Sequence, residues 1–139
     1  GETGLSPRGP DVRRVMARRK QVQAASDLAL DELIPERLLL DAVVEAARAL
    51  GWLVHHDRPA RDRRGEWATA SEGDGGCPDL VLVRPPRVLF VELKSERGTL
   101  TDAQQGWLEA VTSCPGVECY VWRPRDWLDG TVLRVLGGA

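Results

Sequence analysis

The chain is short of the features that mark several protein classes. It has three cysteines, Cys77, Cys114 and Cys119, an odd number with no Cys-x-x-Cys spacing, so neither a disulfide framework nor a zinc cluster is indicated. Free thiols are the default, and a Cys114 to Cys119 bridge across Pro115-Gly116 is disfavoured in a reducing cytosol. No run approaches the roughly 18 apolar residues of a membrane span, and no charged-then-apolar leader is visible. The expectation is an intracellular, cytoplasmic protein with no membrane partner. The charges nearly cancel, 19 Lys and Arg against 21 Asp and Glu, for a net value of −2. That balance does not advertise nucleic acid, yet binding depends on how charge is distributed. There is no internal repeat or low-complexity segment, and 139 residues, 42% hydrophobic and 29% charged, suit a single core with no room for a second domain.

What the chain does have is concentrated between Pro78 and Lys94. Leu80-Val81-Leu82-Val83 and Val88-Leu89-Phe90-Val91 are two β-rich runs separated by Arg84-Pro85-Pro86-Arg87, which reads as the turn of a hairpin. If the hairpin closes symmetrically on the proline pair, Arg84 faces Arg87, Val83 faces Val88, and Asp79 comes opposite Glu92. Directly opposed residues have Cβ atoms about 4.5–5.5 Å apart, and like charges there repel. Such a pair calls for a cation or a shared proton. Side chains alternate along a strand, so Glu92 and Lys94 project to one side and Leu93 to the other. Asp79, Glu92 and Lys94 therefore converge.

Two hard carboxylates with open positions suit Mg²⁺, which takes one or two carboxylates, several waters and substrate phosphate oxygens. An ion of this kind acidifies water and stabilises charge in phosphodiester displacement, and an ammonium beside it orients the nucleophile or neutralises the transition state. An ordinary surface ion pair between Glu92 and Lys94 is the plain alternative, and the two opposed acids argue against it.

Pro78-Asp79 followed by Glu92-Leu93-Lys94 resembles the core motif of the PD-(D/E)XK nuclease superfamily. Gly51-Trp52, His55-His56, Gly76-Cys77-Pro78-Asp79-Leu80, and Leu100-Thr101 with Gln104 and Trp107-Leu108 are similar to its VRR-NUC branch, known from phage and bacterial proteins. The resemblance runs over residues 36 to 123, with Cys77 standing where the family more often has an apolar aromatic. It implies an α/β fold with a restriction-endonuclease-like core, a mixed central sheet flanked by helices in the order αβββαβ. It also implies a Mg²⁺- or Mn²⁺-dependent DNA endonuclease acting on structured or branched DNA as a homodimer. Asp79, Glu92 and the Leu93 carbonyl would ligate the ion, Glu36 would serve a second ion or align water, and Gln104 would stand close by. The alternatives are a non-catalytic DNA-binding or assembly module on the same fold and a hydrolase of small phosphoesters.

The remaining segments supply the elements of such a core. Residues 1–34 read as a basic, helical extension and 35–139 as the nuclease-like domain. Within the extension, Arg13, Arg14, Arg18, Arg19 and Lys20 precede Asp27, Asp31 and Glu32, a pattern that either solvates a helix or grips phosphates. Pro35 suits the first position of a helix that reaches about Leu50 and stops at Gly51. At 100° per residue, Arg37, Asp41, Glu45 and Arg48 share a polar arc, whereas Glu36 falls with Leu40, Val43, Ala47 and Leu50 on the apolar side. An acid there needs a partner, unless it only complements the helix dipole for about 0.3–1 kcal/mol.

Trp52 to His56 reads as the first strand, with His55 and His56 on opposite faces and a local hydrogen bond expected for either. The stretch from Asp57 to Cys77, with Arg58, Arg61, Arg63, Arg64 and Trp67, reads as a phosphate-contacting flap or a disordered loop. Thr101 with Gln104 has capping-box spacing and opens a helix to about Ser113. Gln104 also shares a face with Trp107, Leu108 and Val111, so it either caps or points to the reaction centre. Val117 to Trp122 reads as a strand, Pro124 to Trp127 as a turn or single helical turn, and Val132 to Val135 as a short terminal strand.

Overall fold

A computed structural model describes residues 11–57, 60–61, 63–65, 67–68 and 73–139, with the backbone alone at 60–61 and 67–68. The basic segment forms one helix, α1 (Val12–Leu33), whose first turn is capped by the Asp11 carboxylate accepting from the Arg13 N–H at 3.1 Å. A second helix, α2 (Glu36–Ala49), buries Leu39, Val43, Val44 and Ala47. These recur at three- and four-residue steps, as a helix packed on one side requires. Pro35 caps α2 from outside the helix instead of opening it. The chain turns out of α2 at Gly51, where φ is +87°, a left-handed value that disfavours any residue with a Cβ.

The expected first strand is β1 (Leu53–His56). A two-residue ribbon, β2 (Ala60–Arg61) paired antiparallel with β3 (Trp67–Ala68), occupies part of the stretch expected to be a flap or loop. Arg58 and the side chains of Arg61 and Trp67 lie outside the described residues. The hairpin is β4 (Leu80–Arg84) and β5 (Arg87–Leu93), with Arg84 opposite Arg87 and Val83 opposite Val88, the register expected from closure on the proline pair.

After β5 come α3 (Asp102–Thr112), β6 (Val117–Trp122), α4 (Pro124–Leu128) and α5 (Thr131–Gly137). The four long strands form one sheet in the order β1-β4-β5-β6, antiparallel except for β5 with β6. The parallel pair exists because α3 carries the chain back across the sheet between them.

Leu80, Leu82, Leu89 and Val91 are wholly buried on one face of the hairpin, in one cluster with Leu39 and Val43 of α2 and Val132 and Leu136 of α5. Each such burial stabilises by about 1.5–3 kcal/mol. The cluster also corrects the reading of Val132 to Val135 as a strand. Val132 and Leu136 are the buried pair, four apart on one helical face, whereas a strand would have alternated. The β-branched valines suggested extension, and packing on α2 overrides that preference. Trp52 at the entry to β1 is 3% exposed and donates its indole N–H to the Leu136 carbonyl at 2.9 Å, which ties α5 to the sheet.

The architecture is mixed α/β with helices flanking a four-stranded mixed sheet. Among the described residues no helix is long and apolar enough to cross a membrane.

Candidate active site

Pairing of β4 with β5 is continuous up to Leu80 opposite Val91, and one further step brings Asp79 across from Glu92. The strand partner at that step is replaced by a side chain, since the Leu93 N–H donates to Asp79 Oδ2 at 2.8 Å. Asp79 is thereby fixed at the mouth of the sheet. Glu92 is 2% exposed, the sole charged residue among the buried ones described. Alternation places it on the opposite face from Leu93, the face toward α3.

Glu92 is held from α3. Gln104 Nε2 donates to Glu92 Oε1 at 3.1 Å, while its Oε1 accepts from the Thr101 N–H at 2.9 Å. The Thr101 hydroxyl accepts in turn from the Gln104 N–H at 3.1 Å. The sequence left capping and site contact as alternatives for Gln104, and the two ends of its amide do both. Glu92 Oε2 is buried without a hydrogen-bond partner, a costly state for a carboxylate. Burial, and then the Asp79 charge beside it, push the Glu92 carboxyl up from 4.5 to about 8. A proton or a cation relieves both causes.

Glu36 and Lys94 complete the group. Glu36 opens α2 and lines the same cleft as Asp79. Partial burial, then the Asp79 charge, raise its pKa, and the Lys94 charge opposes the rise. Lys94 exerts the same lowering influence on Glu92, so its ammonium lies within electrostatic reach of both acids. The Lys94 N–H donates to the Trp122 carbonyl at 3.0 Å, which extends the β5–β6 ladder past the end of the strand. The structure corrects the reason given for Glu36. It is exposed at the rim and not buried with the apolar stripe, and Leu50 is exposed as well.

The cleft has a volume of about 940 Å³, and its lining includes Glu36, Leu40, His56, Asp79, Leu93 and Trp107. Of the two histidines, His55 lies 3.4 Å from the Asp57 carboxylate with both side chains well exposed. His56 is half-buried in the cleft, and its Nδ1 is buried without a hydrogen-bond partner. The expected local bond is therefore absent at Nδ1.

Sequence reasoning missed the clasp that holds the Asp79 segment to α3. Trp107 Nε1 donates to the Gly75 carbonyl at 3.0 Å. At Gly76 φ is +90°, and a Cβ there would stand 2.5 Å from the Ala103 carbonyl carbon and 2.7 Å from the Gln104 nitrogen. The signal was present in the Gly75-Gly76 doublet ahead of Cys77-Pro78. It also missed Arg123, whose Nη1 donates to the carbonyls of Ser95 at 2.6 Å, Gly98 at 2.7 Å and Glu96 at 3.3 Å, pinning the turn that follows Lys94.

Among the described residues, no three His, Cys, Asp or Glu side chains cluster tightly enough to hold an ion unaided. Asp79 and Glu92 bring two carboxylates within electrostatic reach of each other. One buried acid with an unpaired oxygen, a second acid across from it and an ammonium nearby form a centre suited to handling phosphate.

Comparison with known families places this geometry in context. The model of the VRR-NUC domain matches residues 45–126, a span that includes the hairpin, both opposed acids, Lys94 and Gln104. The chain belongs to the VRR-NUC domain family, and its domain is of nuclease type with DNA as the implied substrate. Glu36 and α1 precede the matched span. No curated protein and no solved structure matches the chain.

Proposed function

We propose that this protein is a divalent-metal-dependent DNA endonuclease that hydrolyses phosphodiester bonds at the Asp79, Glu92 and Lys94 centre. The observation that carries the reading is Glu92 itself, 2% exposed with Oε2 unpaired and its pKa pushed up to about 8. A buried acid this poorly satisfied weakens the fold, and a cation between it and Asp79 removes the penalty. The donor set is hard oxygen, which fits Mg²⁺ or Mn²⁺. Asp79 and Glu92 would hold the ion, with the Leu93 carbonyl as a further ligand and Glu36 as ligand to a second ion. When bound, the ion would supply water of lowered pKa and charge stabilisation at the phosphate.

The chain's own groups do the rest. Lys94 presents an ammonium to the charge that develops as the phosphodiester is displaced. Where Glu36 does not ligate a second ion it aligns water at the cleft rim, and its raised pKa then makes it a better proton acceptor than an ordinary carboxylate. Gln104 keeps Glu92 in one rotamer through the 3.1 Å bond, so the acid does not have to reorganise when substrate enters.

We extend the proposal to structured or branched DNA as substrate and to a homodimer as the acting unit. Both rest on the resemblance to the VRR-NUC branch.

The test is incubation of linear, nicked, flapped and four-way DNA with Mg²⁺, Mn²⁺ or chelator. Metal-dependent nicks by the wild type, lost in Glu92→Ala and Lys94→Ala variants that remain folded, are the expected result. Undiminished turnover in both variants would remove this centre from consideration. Retarded but uncut DNA would instead make the protein a binding module on a nuclease fold.

A further inference from the structure

Helix α1 is unevenly attached. Residues 11–26 are all exposed, and the contacts to the body come from the other end. There the Asp31 carboxylate accepts from the Glu96 N–H at 2.6 Å, and Asp27 pairs with Arg125 at 3.0 Å. Glu96 is two residues beyond Lys94. The helix is thus anchored two residues past Lys94, and toward its N-terminus it passes the start of α4.

The free part carries Arg13, Arg14, Arg18, Arg19 and Lys20, and none of the five forms an ion pair among the described residues. The layout of charge runs against the helix itself. Beyond the Asp11 cap, α1 has no acid in its first turn and no base in its last, so its charges do little to complement the macrodipole within the helix. A helix whose charges served only to keep it soluble and folded has no need of that arrangement. Asp27 and Asp31 have partners in the body, and the five bases form no ion pair among the described residues.

We propose that α1 is a basic arm that grips the phosphate backbone of duplex DNA flanking the bond presented to the Asp79, Glu92 and Lys94 centre. The inference rests on the nuclease reading above. With 1.5 Å of rise per residue, Lys20 stands about 16 Å and Arg13 about 27 Å along the helix from the Asp31 anchor. At 3.4 Å per base pair these distances reach roughly 5 to 8 base pairs of flank. At 100° per residue Arg13, Arg14, Arg18, Arg19 and Lys20 fall at about 0°, 100°, 140°, 240° and 340° around the helix, so a duplex covering about a third of the circumference meets two or three of them on most sides. Each neutralised phosphate contributes about 0.9 to the slope of log K against log salt.

The experiment compares full-length wild type with a variant carrying Arg13→Gln, Arg14→Gln, Arg18→Gln, Arg19→Gln and Lys20→Gln. Glutamine keeps helix propensity, and circular dichroism and Tm verify the fold. Binding of fluorescent 4-, 8-, 16- and 24-base-pair duplexes is read by anisotropy in chelator across a salt series. Cleavage of the same flanks appended to a four-way junction is read with Mg²⁺.

The variant is expected to lose about 2 to 3 from the salt slope and roughly a hundredfold in affinity near 0.1 M salt for flanks of 8 base pairs and longer. Little change is expected at 4 base pairs. A companion variant with lysine at all four arginine positions should restore most of the binding, since phosphate contact requires charge and not a particular side chain. Equal slopes and equal length dependence in wild type and the glutamine variant, with cleavage intact, would overturn the arm and leave the nuclease reading standing. Absence of both binding and cleavage in the wild type would overturn both.

Discussion

Gly76→Ala is the sharpest single test of how the site is assembled. The added methyl would sit 2.5 Å from the Ala103 carbonyl carbon, 2.7 Å from its oxygen and 2.7 Å from the Gln104 nitrogen, at a φ of +90°. Those neighbours are helix backbone, which cannot rotate aside as a side chain would. The left-handed conformation costs an alanine about 1–2 kcal/mol, and forced overlap in a packed contact costs about 1–3 kcal/mol more. The sum, about 2–5 kcal/mol, is a large part of the 5–15 kcal/mol typical of a whole domain.

Relief must come from the 75–79 segment moving off α3, which lengthens the Trp107 to Gly75 bond and carries Asp79 away from Glu92. Gly106→Ala on the same helix is the control. Gly106 lies within α3, nothing lies within 4 Å of its Cβ position, and the change should stabilise by about 0.5–1 kcal/mol. Urea unfolding should therefore separate the two variants by about 3–6 kcal/mol with similar slopes. Measured where both are folded, cleavage by Gly76→Ala should be lower by about a hundredfold, the scale of a 1 Å misplacement. A Gly76→Ala protein as stable as Gly106→Ala would refute the clasp.

Two further outcomes follow from Glu92 and Gln104. The folded Glu92 carboxyl lies at about 8 against 4.5 when unfolded, so the native state holds the extra proton between those values. Metal-free stability should then fall as pH rises from about 4.5 toward 8, by up to about 1.4 kcal/mol per pH unit. Melting curves across that window should show the fall, and either added Mn²⁺ or Glu92→Gln should flatten it; a flat profile for metal-free wild type would contradict the assigned burial and repulsion. Gln104→Ala removes both the donor to Glu92 and one half of the capping box, and should cost about 1–2 kcal/mol in thermal unfolding together with most of the cleavage.

The hairpin was legible because two independent constraints agree on it. Two continuous β-rich runs fix where the strands lie, and the proline pair fixes where they turn, so the register of β4 and β5 and the approach of Asp79 to Glu92 came out of counting. Gln104 was half legible: the spacing from Thr101 marks a cap, but the second use of its amide depends on where α3 lies over the sheet, which local sequence does not encode. The C-terminal helix was misread because Val132 to Val135 is too short for periodicity to separate helix from strand. Only its packing on α2 decides. The Gly75-Gly76 doublet marks a special backbone position, but that it approaches α3 and meets Trp107 depends on long-range packing that local sequence does not encode.

The grip of Arg123 on the turn after Lys94 is made entirely through main-chain oxygens, at Ser95, Glu96 and Gly98. A fastening of that kind is blind to side-chain identity. Arg97 is exposed within the turn, so a library diversified at that position would leave the mount beneath Lys94 in place.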